Sequence, residues 1–281
     1  MKITINNAVA HVVTFEDTRF LQTFLDNLKP LNASHEEITA IEIVDIESTI
    51  TSIPNLTKFT NLEEFSCVSA PLASLPELPK KLLKLEYEDC QLTSLPELPE
   101  TLTELHCKNN QLSVLPLLPA SLEQLYCENN QLSVLPLLPA SLVVLDCRNN
   151  LLPLLPLLPA ELKALICDRN QLTELPQLPA QCCALSCSHN QLTVLPDLPN
   201  DLELLHCDYN QLSSLPDLPA NLENLKCSNN KLSHLPRLPN KLDTLYANNN
   251  QLLSLPEFPQ SLTDTQYKNN VFNSYSSLCI F

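Results

Sequence analysis

A chain of 281 residues with 32 acidic against 16 basic side chains carries a formal charge of −16, which disfavours nucleic acid and anionic membrane surfaces, because both select clustered Lys and Arg. Glycine and tryptophan are absent, while proline reaches 24 and cysteine 12; a Gly-rich phosphate loop is excluded, and turn positions with positive φ must fall to Asn, the next most tolerant residue. No apolar run approaches a membrane span, and the start MKITINNAVAHVVTFED lacks the features of a Sec signal peptide.

Residues 1–37 match nothing that follows. The alternation in Met1–Glu16 predicts a short strand or hairpin. Asp17 or Thr18 can then cap a helix whose apolar stripe is Phe20, Leu21, Phe24, Leu25 and Leu28, ended by Pro30. An amphipathic segment ahead of a repeat array reads as its N-terminal cap, because the first repeat otherwise exposes an apolar face.

From Ile38 to residue 261 the chain is a repeat array. A longer first unit is followed by one from Leu62, and the period then holds at twenty residues, with strand starts at Leu82, Leu102, Leu122, Leu142, Leu162, Cys182, Leu202, Leu222, Leu242 and Leu262. That makes twelve units of the form L-x-x-L-x-C-x-x-N-x-L-x-x-L-P-x-L-P-x-x. The pattern is a leucine-rich repeat with Cys in the third apolar slot. Each unit yields one strand and one return segment. The paired prolines of the return, such as Pro116 and Pro119, exclude an α-helix and predict polyproline-II or 3₁₀ geometry. The expected fold class is therefore a leucine-rich-repeat solenoid with a parallel β-sheet on the concave face, an extended convex face and a small α/β N-terminal cap.

Cys107, Cys127, Cys147, Cys167, Cys187, Cys207 and Cys227 recur in one apolar slot and read as small buried hydrophobes. In-register side chains point the same way, which disfavours bridging, and no His accompanies them as a metal site requires. So many free thiols suit a reducing compartment. Asn110, Asn130, Asn150 and their successors to Asn270 form a second ladder, expected to bond backbone groups where the chain leaves each strand. Cys90 occupies that slot in the third unit and is not expected to do the same work. Residues 262–281 hold a degenerate last repeat, with Thr265 for Leu and Tyr267 for Cys, and read as the C-terminal cap.

Variety is confined to the positions expected to face solvent on the concave side. The central one runs Glu86, His106, Tyr126, Asp146, Ile166, Ser186, His206, Lys226 and Tyr246; flanking positions add Arg148, Arg169, His189 and Tyr209. From these we take Glu86, His106, Tyr126, Asp146, Arg148, Ile166, Arg169, His206, Tyr209, Lys226 and Tyr246 as candidate partner-binding residues, since interface energy concentrates in aromatic and Arg side chains. The five exposed slots from Leu82 to Ala247 hold twelve acidic and six basic residues, which suits a partner with a basic or mixed-charge surface. Val143, Val144, Ala164, Ile166 and Ala184 form an apolar spot, and Leu117, Leu137 and Leu157 sit in an exposed convex slot. Apolar clusters of this kind suit a contact site, self-association included.

Catalysis has no evident seat. His106 and His206 lie five repeats apart, roughly 24 Å by strand spacing, and no nucleophile, base or metal set recurs at fixed spacing. The sequence predicts a protein that is not an enzyme and needs no cofactor or metal.

The L-P-x-L-P return over Leu62–Gln260 resembles a family of bacterial effectors with twenty-residue repeats, among them Yersinia outer protein M and the repeat domains of the invasion-plasmid-antigen-H ubiquitin ligases. The Asn-rich, Gly-free composition also looks like effectors of intracellular bacteria such as Legionella. The resemblance implies a non-catalytic scaffold, secreted into the host-cell cytosol, that binds host proteins on its concave face. No Cys here is followed by x-Asp, the nucleophile motif of the ligase members, so ligase activity is not implied. The alternative is the substrate-recognition subunit of an enzymatic complex that recruits a ligase or kinase.

Overall fold

The computed structural model describes residues 2–5, 34–44, 51–73 and 75–272, and the chain forms two compact units, Met1–Leu142 and Val143–Phe281. The first unit contains β1 (Lys2–Ile5), β2 (Ala40–Val44), β3 (Glu64–Val68), β4 (Lys84–Glu88), β5 (Glu104–His106) and β6 (Gln124–Tyr126). The second contains β7 (Val144–Asp146), β8 (Ala164–Ile166), β9 (Ala184–Ser186), β10 (Leu204–His206), β11 (Asn224–Lys226), β12 (Thr244–Tyr246) and β13 (Asp264–Gln266). This is a leucine-rich-repeat solenoid, one strand per repeat.

Within the first unit β1 pairs antiparallel with β2, covering the edge that the first repeat strand would otherwise expose. Strands β2 to β6 then pair in parallel, offset by one repeat, so that Leu85, Leu105 and Leu125 fall side by side. In the second unit the same register aligns Leu145, Leu165, Leu185, Leu205, Leu225 and Leu245. Only the start of the predicted N-terminal strand, β1, and a 3₁₀ turn at His35–Glu37 are described in the leader. The helix expected over residues 17–30 lies outside the described residues.

The core is a set of ladders. Leu102, Leu105, Cys107 and Leu112 are fully buried in one repeat, as are Leu162, Leu165, Cys167 and Leu172 in another. Each buried Leu contributes about 1.5–3 kcal/mol, and each is sheltered by the repeats on either side. The return segments carry no helix, as their prolines require. The second proline of each return instead supplies the acceptor of a tight turn, as where Leu122 N–H bonds Pro119 O at 3.1 Å. That turn launches the next strand.

The asparagine ladder does the work expected of it. Asn210 Oδ1 accepts Leu192 N–H at 3.0 Å, and its Nδ2 donates to Cys187 O at 3.0 Å and Cys207 O at 3.2 Å. One amide thus ties two repeats together through buried backbone groups. Cys90 departs from expectation, because its thiol donates to Cys67 O at 3.2 Å and Glu88 O at 3.1 Å. It performs the donor half of the Asn role. A thiol offers no strong acceptor, so Leu72 N–H turns to the backbone oxygens of Ala70 and Cys90 instead.

The positive-φ positions are only half as predicted. The first Asn of each pair takes the left-handed conformation at Asn109, Asn129, Asn149, Asn229, Asn249 and Asn269. Ser69, Asp89, Gln91, Arg169, His189 and Tyr209 adopt it as well. Since glycine is absent, every such turn is built on a residue with a Cβ. Among the described residues the cysteines of the third apolar slot form no disulfide and are buried. Desolvation pushes their thiols well up, as at Cys167 and Cys207, so they pack as hydrophobes.

Candidate protein-binding face

On each strand the residue between two inward apolar side chains points to solvent, because successive side chains alternate across the sheet. In the first unit this brings Glu42, Ser66, Glu86, His106 and Tyr126 into one register column. The His106 and Tyr126 rings stack with centroids 4.4 Å apart, and Tyr126 Oη donates to Gln124 Oε1 at 3.0 Å. Beside them Lys84 pairs with Glu104 at 2.8 Å and Lys108 with Glu88 at 3.1 Å. The Glu104 hydrogen bond raises the Lys84 pKa. Burial would raise the Glu104 carboxyl, but Lys84 and His106 hold it below its ordinary range.

A hollow of about 200 Å³ opens at the start of this face, lined by Thr4, Glu42, Glu64, Ser66, Lys84 and Glu86 among others. Its carboxylates outnumber its single ammonium. Sequence reasoning reached Glu86 but passed over Glu42 and Glu64, which lie in the irregular early repeats where the twenty-residue register is not yet established.

In the second unit Asp146, Ile166, Ser186, His206, Lys226 and Tyr246 occupy one column. Asp146 corrects the sequence reading: it is 1% exposed and is no contact residue. Its carboxylate pairs with Arg148 at 2.8 Å and accepts the Arg148 N–H, so Arg148 serves as its counter-ion while remaining exposed itself. Val144, Ala164 and Ala184 lie in register with Ile166 in the next column, and all four are half-buried. The predicted apolar spot therefore exists on β7–β9. His206 contacts Asn224 Oδ1 at 3.1 Å; burial, and then Lys226, lower its pKa. Lys226 Nζ lies 5.5 Å from the Tyr246 ring centre, and Tyr246 Oη donates to Asp264, which raises its pKa.

Arg169 and Tyr209 do not join that column. They sit on the exit turns with φ of 53° each, at the margin of the sheet. His189 lies between them in the repeat order and stacks on Tyr209 with centroids 4.2 Å apart. On the return side the predicted apolar slot is open: Leu117 and Leu137 are 87% and 86% exposed in the first unit, and Leu157 is 87% exposed in the second. Among the described residues no group of three or more His, Cys, Asp or Glu could hold a metal ion. None of the helices there is long and apolar enough to cross a membrane.

No protein-family model matches the sequence, and none of the curated proteins matches it. Solved structures do. YopM from Yersinia enterocolitica WA-314 is 36% identical with a TM-score of 0.74, over 80% of this chain and 52% of that one. The chain thus spans about half the length of that relative. YopM from Yersinia pestis, described as a leucine-rich effector protein, is 30% identical with a TM-score of 0.55, over 90% of this chain and 89% of that one. The functional domain of InlJ from Listeria monocytogenes, which includes a cysteine ladder, shares the fold at 20% identity and a TM-score of 0.60, over 84% and 64% of the two chains. A glycine-free array of twenty-residue repeats, open along one face of its strands, belongs to the YopM family of bacterial leucine-rich-repeat effectors.

Proposed function

We propose that this chain is a non-catalytic scaffold that binds host proteins through the solvent-facing columns of its strands, as a secreted effector acting in the host-cell cytosol. Residues 1–37 and 262–281 serve as caps of the array at residues 38–261 in this reading. The observation that carries it is the contrast between positions. Inward slots repeat Leu, Cys and Asn almost without change, while the outward column holds Glu86, His106 and Tyr126 in one unit and Ile166, His206, Lys226 and Tyr246 in the other. Nothing in the repeat demands that variety, and aromatic side chains such as these Tyr carry interface energy while charged residues suit its rim.

The two faces suit different parts of a mixed-charge partner. The acidic hollow at Glu42, Glu64 and Glu86 favours basic side chains, whereas β7–β9 offer an apolar surface beside Ile166. Affinity capture from host-cell lysate, wild type beside a variant with Tyr126, Ile166, Lys226 and Tyr246 changed to Ala, tests this. Arg148 is kept, because its removal takes an ion-pair partner from the buried Asp146 carboxylate. Proteins retained by wild type and lost by the folded variant support the reading. Identical captures by both overturn it.

A further inference from the structure

The exit turns of the second unit carry an anomaly. Seven successive repeats place a residue in the left-handed region there: Asn149, Arg169, His189, Tyr209, Asn229, Asn249 and Asn269. Asn has a structural reason to occupy it. Its short amide tolerates the conformation, and neighbouring amides bond each other, Asn249 Nδ2 to Asn229 Oδ1 at 2.9 Å and Asn269 Nδ2 to Asn249 Oδ1 at 2.7 Å. Arg and Tyr are poorly suited to this backbone, and all three replacements forgo the amide ladder. Three consecutive exceptions carry that backbone without the amide ladder, and two of them, His189 and Tyr209, stack on each other instead.

Their surroundings leave them directed outward. Asp168, the natural partner for its neighbour Arg169, is already engaged: its Oδ1 accepts Ser186 Oγ–H and Ser188 N–H at 2.8 Å each. Asp208 Oδ1 likewise accepts Ser228 N–H at 2.7 Å. Among the described residues Arg169 has no carboxylate within ion-pair distance, and it is exposed. Tyr209 is 51% exposed, with its ring laid flat on His189 at 10°. Burial, together with Arg169, lowers the His189 pKa and favours its neutral form. The row therefore presents a guanidinium, an imidazole and a phenol about 4.8 Å apart, with its only side-chain cation at Arg169.

We propose that Arg169, His189 and Tyr209 form a contact row at the margin of the sheet for an acidic segment of a protein partner. A carboxylate of that segment pairs with the Arg169 guanidinium, whose planar fork of donors matches it. The adjoining chain lies across the His189–Tyr209 stack, which offers a flat, rigid surface at low entropic cost. The inference rests on the scaffold reading but concerns a site separate from the strand columns.

The test pairs stability with binding. In the variant R169N/H189N/Y209N each side chain becomes the Asn used by the other repeats of the second unit. A phage-displayed random dodecapeptide library is panned on wild type and counter-selected on this variant. The expected result is peptides enriched in Asp or Glu that bind wild type at least about tenfold more tightly, the loss of one charge-assisted contact. The variant should melt at the same or a higher temperature. The strand-face alanine variant should retain these peptides. The proposal is overturned if no peptide prefers wild type, if those that do lack carboxylates, or if the triple variant melts lower, which makes the row a structural element. Loss of the peptides by the strand-face variant alone also overturns it, and leaves the scaffold reading standing.

Discussion

Replacing Asn210 by alanine removes an amide that satisfies buried groups in two repeats at once. Leu192 N–H loses its acceptor at 3.0 Å, whereas Cys187 O loses one donor at 3.0 Å and keeps Asn190 Nδ2 at 3.1 Å. Leu192 N–H cannot turn to water, since Leu192 is fully buried. An orphaned buried polar group costs about 1–3 kcal/mol, so the single orphaned N–H gives a loss of about 2 kcal/mol. Asn210→Cys is the informative companion, because at Cys90 a thiol keeps the donor contacts while Leu72 N–H turns to the backbone oxygens of Ala70 and Cys90; the same rearrangement should make it cost roughly half as much. Repeat proteins unfold by local opening as well as globally, so the direct assay is hydrogen exchange at Leu192 N–H. A loss of about 2 kcal/mol accelerates that exchange about thirtyfold in N210A, with N210C between it and wild type. Exchange within threefold of wild type in N210A, or N210C as damaged as N210A, would refute the reasoning.

Other outcomes follow from the same structure. Tyr87 is fully buried in the slot that Cys fills elsewhere, edge-on to Phe65, and its hydroxyl has no partner; Tyr87→Phe should raise stability by about 1 kcal/mol in urea titration, and a loss contradicts this. Thiol labelling at pH 8 followed by peptide mapping should find the partly exposed Cys183 modified before buried Cys182, whose pKa is pushed up to about 11 by burial, or the ladder thiols at Cys107 to Cys227. Equal labelling rates contradict that order. Burial lowers the pKa of His189 and His206, so the unfolded chain binds more protons and stability falls as pH drops below about 6.5. Asp208 acts in the opposite sense at lower pH, because burial raises its pKa and favours the protonated folded form. Melting temperatures at pH 7.5 and pH 5.5 should show a shallower decline in H189N/H206N than in wild type; an unchanged decline contradicts the assignment.

The fold was legible because its information is periodic. Leu102, Leu105, Cys107, Asn110 and Leu112 each return at twenty residues, and one register places them all inside. What escaped depended on features that do not repeat. Asp146 occupies an outward slot yet is buried, because Arg148 two residues on supplies its counter-ion, and a column position does not encode that pairing. Cys90 looked unable to replace Asn because residue type was weighed without its thiol donor. Arg169, His189 and Tyr209 resembled ordinary variable positions until their φ values showed them on the exit turns rather than the strands. The candidate site was legible only as a set of unconstrained positions, since solvent-facing residues answer to a partner and not to the fold.

The central claim is that protein partners are held on the strand face. Hydroxyl-radical footprinting, with and without a captured partner, reads side-chain accessibility on both sides at once. Tyr126, Ile166 and Tyr246 should be protected, while Leu117 and Leu137, open on the return side, keep their free reactivity. Protection of Leu117 and Leu137 with unchanged reactivity at the three strand residues would contradict it and move the binding surface to the return segments.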